Sequence, residues 1–202
     1  MRHDIDNYIK WANYIHDIEK IYSITSSFYF RLSTINIPLM KKLIKSGSEA
    51  SYHFEEIASY CKKHHIKDRD SAINEMEKIR KMFAKNFLSL EARLGTKLRS
   101  VASHGDFVNR KLRLYNWEIT KDIHLRETLG IEVEAYDDLL KDTSDIYIAD
   151  RPYPIFWHPV NPLDILDKYN VIYLLTHPRN WGRNIHGNLR ENVTRCLEGL
   201  HW

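Results

Sequence analysis

Short apolar runs alternate along this chain with longer amphipathic stretches, and that alternation narrows the fold more than any other feature. Strand and helix in turn argue for a parallel sheet with crossover helices. Residues 8–22 carry Ile9, Trp11, Ala12, Ile15, Ile18 and Ile21 at helical spacing. Ser23 to Phe30 is β-branched and aromatic and reads as a strand. Pro38 begins a short helix that ends near Gly47, and Ser48 to His53 is the next strand candidate. The longest helix is expected over 69–94, with Ile73, Met76, Ile79, Phe83, Phe87, Leu90 and Leu94 as its apolar stripe and Gly95 as its stop. Leu98 to Ser103, Ile131 to Ala135, Ile146 to Ala149 and Val171 to Thr176 are further strands, the last apolar enough to be covered on both faces. Residues 110–128 are mostly helical, Pro162 opens a small helix, and about 185–198 reads as a surface helix. The first strand is short, because Asp4 follows only three residues; either its true start lies upstream or it is frayed. About seven strands either close into a barrel or remain an open doubly wound sheet, and periodicity does not choose between them.

With 202 residues, 43% of them apolar, and no repeat or linker, a single domain over 1–202 is expected. Thirty Lys and Arg against 27 Asp and Glu leave a net charge of +3, which gives no warrant for a nucleic-acid partner. The longest apolar run, about Val171 to Leu175, falls far short of the roughly 20 residues of a membrane span. No apolar segment accompanies the opening Met-Arg-His-Asp-Ile-Asp, so a secretory leader is not expected. Cys61 and Cys196 do not form a disulfide framework and suit a reducing compartment, so the expected location is the cytoplasm. Oligomeric state is not legible in the sequence.

In parallel α/β folds, ligands sit at the C-terminal ends of strands. Here those ends read His3, Asp4 and Asp6; Tyr52, His53 and Glu55; Ser103, His104, Gly105 and Asp106; Asp150 and Arg151; and Thr176, His177 and Pro178. Carboxylates and imidazoles gathered at one rim fit a divalent-metal site, with zinc, nickel, cobalt and manganese all compatible. In an extended segment Asp4 and Asp6 point the same way, and two such carboxylates repel unless a cation or a shared proton compensates. Each piece also has a plain structural reading. Asp6 fits a helix N-cap before residues 8–22, and His53 fits a hydrogen-bonded core histidine. Gly105 fits a turn at positive φ, and His177-Pro178 fits a simple strand end.

These residues resemble the motifs of the polysaccharide deacetylases, the NodB-homology or carbohydrate esterase family 4 (CE4) group. Arg2-His3-Asp4-Ile5-Asp6 is similar to the opening motif, and Ser51-Tyr52-His53-Phe54-Glu55 to the second. Ser103-His104-Gly105-Asp106 is similar to a fourth-strand motif of one branch, and Leu174-Leu175-Thr176-His177-Pro178-Arg179-Asn180-Trp181 to the closing motif. The resemblance implies a distorted (β/α) barrel with about seven parallel strands. It implies a metal-dependent hydrolase, acting on C–N bonds other than peptide bonds, that removes an N-acetyl or O-acetyl group from a sugar of a surface polysaccharide or its precursor.

By the same match, Asp4 is the expected general base, His177 the general acid, and Asp6 and His53 ligands of an ion, most readily zinc, with His104 the further ligand expected beside them. Arg31 and Asp150 are expected to orient the sugar, and Trp181, with Tyr52 and Trp157, to supply apolar faces. Three departures stand out. The family's second histidine in the second motif falls on Ile57 here, so His104 or Glu55 takes its place or the site is impaired. The arginine-bearing third motif is not evident, and Ile5 between the two aspartates leaves their roles interchangeable. The alternative reading is therefore a catalytically impaired protein of this fold that binds glycan or scaffolds polysaccharide assembly. A different metal hydrolase on a related barrel fits less well, because no His-x-His pair appears.

Overall fold

The computed structural model describes residues 1–152, 154–181, 188–190, 193–194, 197–199 and 202. His186, Cys196 and His201 fall outside the described residues, as does much of the helix expected over 185–198. In chain order the elements are β1 (Arg2–Ile5), α1 (Ile9–Ile21), β2 (Ser27–Phe30), α2 (Ile37–Lys45), β3 (Glu49–Phe54), α3 (Glu56–His64), α4 (Arg69–Asn74), α5 (Met76–Leu94), β4 (Ser100–Ser103) and α6 (Phe107–Leu112). There follow a 3-10 turn (Asn116–Ile119), α7 (Ile123–Leu129), β5 (Val133–Glu134), α8 (Asp138–Asp142), β6 (Ile146–Asp150), β7 (Trp157–His158), a second 3-10 turn (Pro162–Asp164), β8 (Ile172–Thr176) and α9 (Pro178–Trp181). This is a mixed α/β chain with mostly parallel strands. Among the described residues no helix is long and apolar enough to cross a membrane.

The chain divides into two compact units, Met1–His53 with Ala135–Gly182, and Phe54–Glu134 with Arg183–Trp202. In the first unit the strands run in the order β3-β2-β1-β8-β6-β7. The pairs β1·β2, β2·β3, β1·β8 and β6·β8 are parallel, and only β7 runs antiparallel, against β6. In the second unit β4 and β5 pair in parallel, with Ser100 opposite Val133.

Several elements differ from the sequence reading for identifiable reasons. The strand expected from Ser23 starts at Ser27, because the end of α1 uses the intervening residues: Ser23 takes a φ of 54° and the Ile24 amide donates to the Glu19 carbonyl. The helix expected over 69–94 breaks at Glu75, whose carboxylate accepts from Tyr60 and Lys78. Its stripe holds over Ile79, Phe83, Phe87, Leu90 and Leu94, all buried, while Ile73 in α4 is exposed. Each buried Phe or Leu of that face contributes about 1.5–3 kcal/mol. Gly95 ends α5 at a φ of 72°, the left-handed conformation expected of a C-terminal glycine. β7, only two residues long, carried no periodic signal.

The face of α1 also differs. Its buried residues are Ala12, His16 and Glu19, whereas Ile18 and Ile21 are exposed. The polar face is buried because it has partners. His3 Nε2 lies 2.8 Å from Glu19 Oε1, His3 Nδ1 lies 2.5 Å from Thr176 Oγ1, and Ser26 Oγ donates to Glu19 Oε1 over 2.6 Å. This network ties α1 to β1 and β8.

Candidate functional site

Strand register brings the predicted residues of the first unit to one level. Asp4 lies opposite Tyr29, and Tyr29 opposite Ser51. His53 lies two residues beyond Ser51 in β3, and Asp6 directly follows the end of β1. On the other side of β1, His3 lies opposite Thr176, so His177 follows directly, and Asp150 ends the neighbouring β6. Asp6 does not cap α1: the residue before that helix is Tyr8, at a φ of 49° and with no capping side chain.

His53 Nε2 lies 3.5 Å from Asp4 Oδ2 and 3.4 Å from Asp6 Oδ1. All three residues are buried. Two donors each about 2.0–2.1 Å from a tetrahedral ion stand about 3.3 Å apart, so the Asp6–His53 spacing and their oxygen and nitrogen chemistry fit a shared zinc. Asp4 is engaged differently. Arg2 Nε donates to Asp4 Oδ1 over 2.7 Å and Arg2 Nη2 donates to Asp4 Oδ2 over 2.6 Å. Burial alone would raise the Asp4 pKa, but the Arg2 guanidinium, helped by His53 and His177, holds it below the usual aspartate value.

Asp150 gathers three donors. The His177 amide donates to Oδ2 over 2.8 Å, Trp181 Nε1 donates to Oδ2 over 2.9 Å, and His177 Nδ1 lies 2.7 Å from Oδ1. Burial disfavours a charged imidazole, but the Asp150 hydrogen bond and the charges of Asp4, Asp6 and Asp150 outweigh it, so the His177 pKa is raised. An imidazole anchored to a carboxylate through Nδ1 keeps Nε2 for proton transfer. Asp150, expected to orient sugar, thus anchors His177 and Trp181. The Trp181 and Trp157 rings lie 5.2 Å apart, tilted by 55°, and Trp181 is nearly half exposed. Tyr52, by contrast, is fully buried.

In the second unit, His104 is buried at the end of β4, with Nδ1 3.0 Å from Glu55 Oε2. Its amide donates to the Phe54 carbonyl over 2.8 Å, which ties it to the residue that follows His53 in β3. Its carbonyl accepts from Asn116 Nδ2, and Asn116 Oδ1 in turn accepts the Ile57 and Ala58 amides. Ile57, where the family's second histidine is expected, is fully buried in the apolar core. Asp106 caps α6 and accepts from Lys62, and Gly105 is not at positive φ.

Two contributors went unread in the sequence. The sequence carried Arg2 only as part of the opening motif and not as a partner of Asp4, and the anchoring of His177 by Asp150 depends on β6 lying beside β8.

No protein-family model matches the sequence, and no curated protein is similar to it. Solved structures are. Two mutants of BA3943, a CE4 family pseudoenzyme, match 98% of this chain at 14% identity, with TM-scores of 0.50 and 0.51; one of them is described as having restored enzymatic activity. The wild-type pseudoenzyme, from Bacillus anthracis, matches 88% of the chain at 13% identity, with a TM-score of 0.49. The chain spans 61% of the length of each of the two mutants. The mostly parallel α/β architecture is thus that of a distorted (β/α) barrel. More narrowly, it is the fold of the CE4, or NodB-homology, deacetylases that the motifs resemble.

Proposed function

We propose that this chain is a metal-dependent carbohydrate deacetylase that hydrolyses an N-acetyl, or less often an O-acetyl, group on a sugar of a surface polysaccharide or its precursor. The observation that carries the reading is the pair of polar assemblies in one unit: Asp4 and Asp6 against His53, and Asp150 against His177. Asp6 and His53 would hold the ion, and an oxygen and an imidazole nitrogen at this spacing suit zinc.

When bound, the ion polarises the acyl carbonyl and lowers the pKa of water. Asp4, kept ionised beside Arg2, accepts the proton of the attacking water. His177, whose pKa the hydrogen bond to Asp150 helps raise, delivers a proton to the leaving sugar amine, which departs poorly without one. Base and acid roles require their pKa values to lie apart, and the downward shift at Asp4 and upward shift at His177 have the needed signs. Trp181 and Trp157 offer apolar faces to the sugar ring, and Arg31 orients its polar groups. We place the protein in the cytoplasm, where a free buried thiol such as Cys61 persists.

Zinc content and deacetylation of N-acetylated oligosaccharides, measured on the wild type and on His177→Ala, test the reading. Zinc-dependent acetate release that is lost in the variant supports it. Full activity in His177→Ala removes that residue from the acid role. A second reading, a glycan-binding protein that has lost catalysis, is favoured by Ile57 at the vacated ligand position. Glycan binding without zinc uptake would select it.

A further inference from the structure

The register joins β1 to β8 at two positions, Arg2 opposite Leu175 and His3 opposite Thr176, against four for each of β1·β2, β2·β3 and β6·β8. Asp4 and His177 stand one residue past that short ladder, one on each strand. Their separation therefore depends on a seam with few backbone bonds to hold it.

A side-chain bridge crosses the seam at its last rung. His3 Nδ1 lies 2.5 Å from Thr176 Oγ1, and His3 Nε2 lies 2.8 Å from Glu19 Oε1. A carboxylate only accepts, so Nε2 carries a hydrogen toward Glu19 and Nδ1 is left to the threonine hydroxyl. The ring is packed in place. His3 is buried, and its centroid lies 4.5 Å from that of Phe28, its neighbour across β1·β2. Glu19 Oε1 also accepts from Ser26 Oγ, and Ser48 Oγ accepts the Ser26 amide over 3.3 Å. The bridge is thus anchored to α1 and to the residues that lead into β2 and β3. Successive side chains of a strand point to opposite faces. His3 faces α1 while Asp4 faces His53, so His3 acts from behind the reacting groups.

We infer that His3 is a positioning residue for the acid–base pair: by bonding Thr176 on the α1 face of the sheet, it fixes β8 against β1 and with it the separation of Asp4 and His177. The inference rests on the deacetylase reading above. Asp150 orients the His177 imidazole, and His3 sets the distance across which it works. A misplacement of about 1 Å in such a pair costs up to about a hundredfold in rate.

Acetate release from N-acetylated oligosaccharides by zinc-equilibrated protein tests this, with each variant assayed well below its own thermal midpoint so that lost stability does not enter. Thr176→Val keeps the shape of the side chain and removes the hydroxyl. It should lower kcat by about ten- to a hundredfold and leave KM unchanged. Thr176→Ser keeps the hydroxyl and should stay near the wild-type rate. His3→Ala should lose kcat as Thr176→Val does; if it unfolds through its unpaired buried glutamate, Thr176→Val carries the test. In a His177→Ala background Thr176→Val should have no further effect, because the acid whose place it sets is gone, whereas a merely structural effect would recur there. Wild-type kcat in Thr176→Val, equal losses in Thr176→Ser and Thr176→Val, or the same fold-loss with and without His177 overturns the inference, while an active wild type leaves the functional reading intact. A wild type that releases no acetate overturns both.

Discussion

His177 reaches Asp150 twice, through its backbone amide at 2.8 Å and through Nδ1 at 2.7 Å, so one carboxylate fixes both the position and the orientation of the imidazole. The same carboxylate accepts from Trp181 Nε1. The His177 imidazole and the Trp181 indole beside it are therefore both positioned by one residue at the end of β6.

This arrangement gives a pH dependence with a definite sign. His177 must be protonated to act as an acid, and its pKa is raised. Activity should persist above the pH at which an ordinary histidine loses its proton, and fall as pH rises through the raised value. Asp150→Asn removes the main stabilising partner and should move that alkaline limb to lower pH. His177→Ala should lower kcat by about 10²–10⁴-fold. The kcat/KM profile of each protein is the check, and an unmoved limb in Asp150→Asn would show that Asp150 does not tune the acid.

The Trp181 indole has two roles that a pair of substitutions separates. Trp181→Phe keeps an aromatic face and loses the donor to Asp150, so kcat should fall with KM little changed. A hydrogen bond to a charged group is worth about 1.5–3 kcal/mol, which corresponds to a loss of about 10–150-fold at the upper limit of full expression in the transition state. Trp181→Ala should in addition raise KM. Michaelis parameters on an acetylated oligosaccharide distinguish the two.

Ile57→His restores the residue type that the second motif usually carries, but it should not restore a ligand. Position 57 is fully buried among apolar side chains at the start of α3, under the amides held by Asn116. Burying an imidazole there without a built partner should cost about 1–3 kcal/mol. Urea unfolding measures the loss, and zinc affinity should stay at the wild-type value. Tighter zinc binding would show that the core gives way to readmit the older ligand position.

The buried Glu19 should contribute to stability in a pH-dependent way. Burial would raise its pKa, but donors from His3 and Ser26 hold the carboxyl below the usual glutamate value. A folded value below the unfolded one means the contribution is complete above about pH 4.3 and is lost as pH falls through the folded value. Glu19→Ala, which removes the acceptor of both His3 Nε2 and Ser26 Oγ, should cost about 1–3 kcal/mol near neutrality. Thermal unfolding of both proteins across acid pH should converge at the low end; parallel curves would contradict this account of Glu19.

Much of this was legible before any coordinates, because strand ends in a parallel sheet collect chemistry and the motifs mark those ends. Asp4, Asp6, His53 and His177 stand at expected strand ends, and it is the resemblance to the deacetylase motifs that singles them out among the polar residues there. What remained hidden depended on which strands lie side by side. Asp150 meets His177 only because β6 pairs with β8, and nothing local to either strand announces it. The inward face of α1 differs from the apolar stripe because Ile18 and Ile21 are exposed, while His16 and Glu19 join Ala12 in the interior with partners in Ser46, His3 and Ser26. Arg2 was part of the opening motif in the sequence, but its fork on Asp4 is visible only in the structure.

The central claim, that Asp6 and His53 hold a functional divalent ion, is tested most directly by the zinc stoichiometry of the purified protein after equilibration with zinc and removal of excess, compared with His53→Ala. One tightly held zinc per chain in the wild type, lost in the variant, is the predicted result. No retained zinc in a folded wild type, or the same amount in His53→Ala, would contradict it.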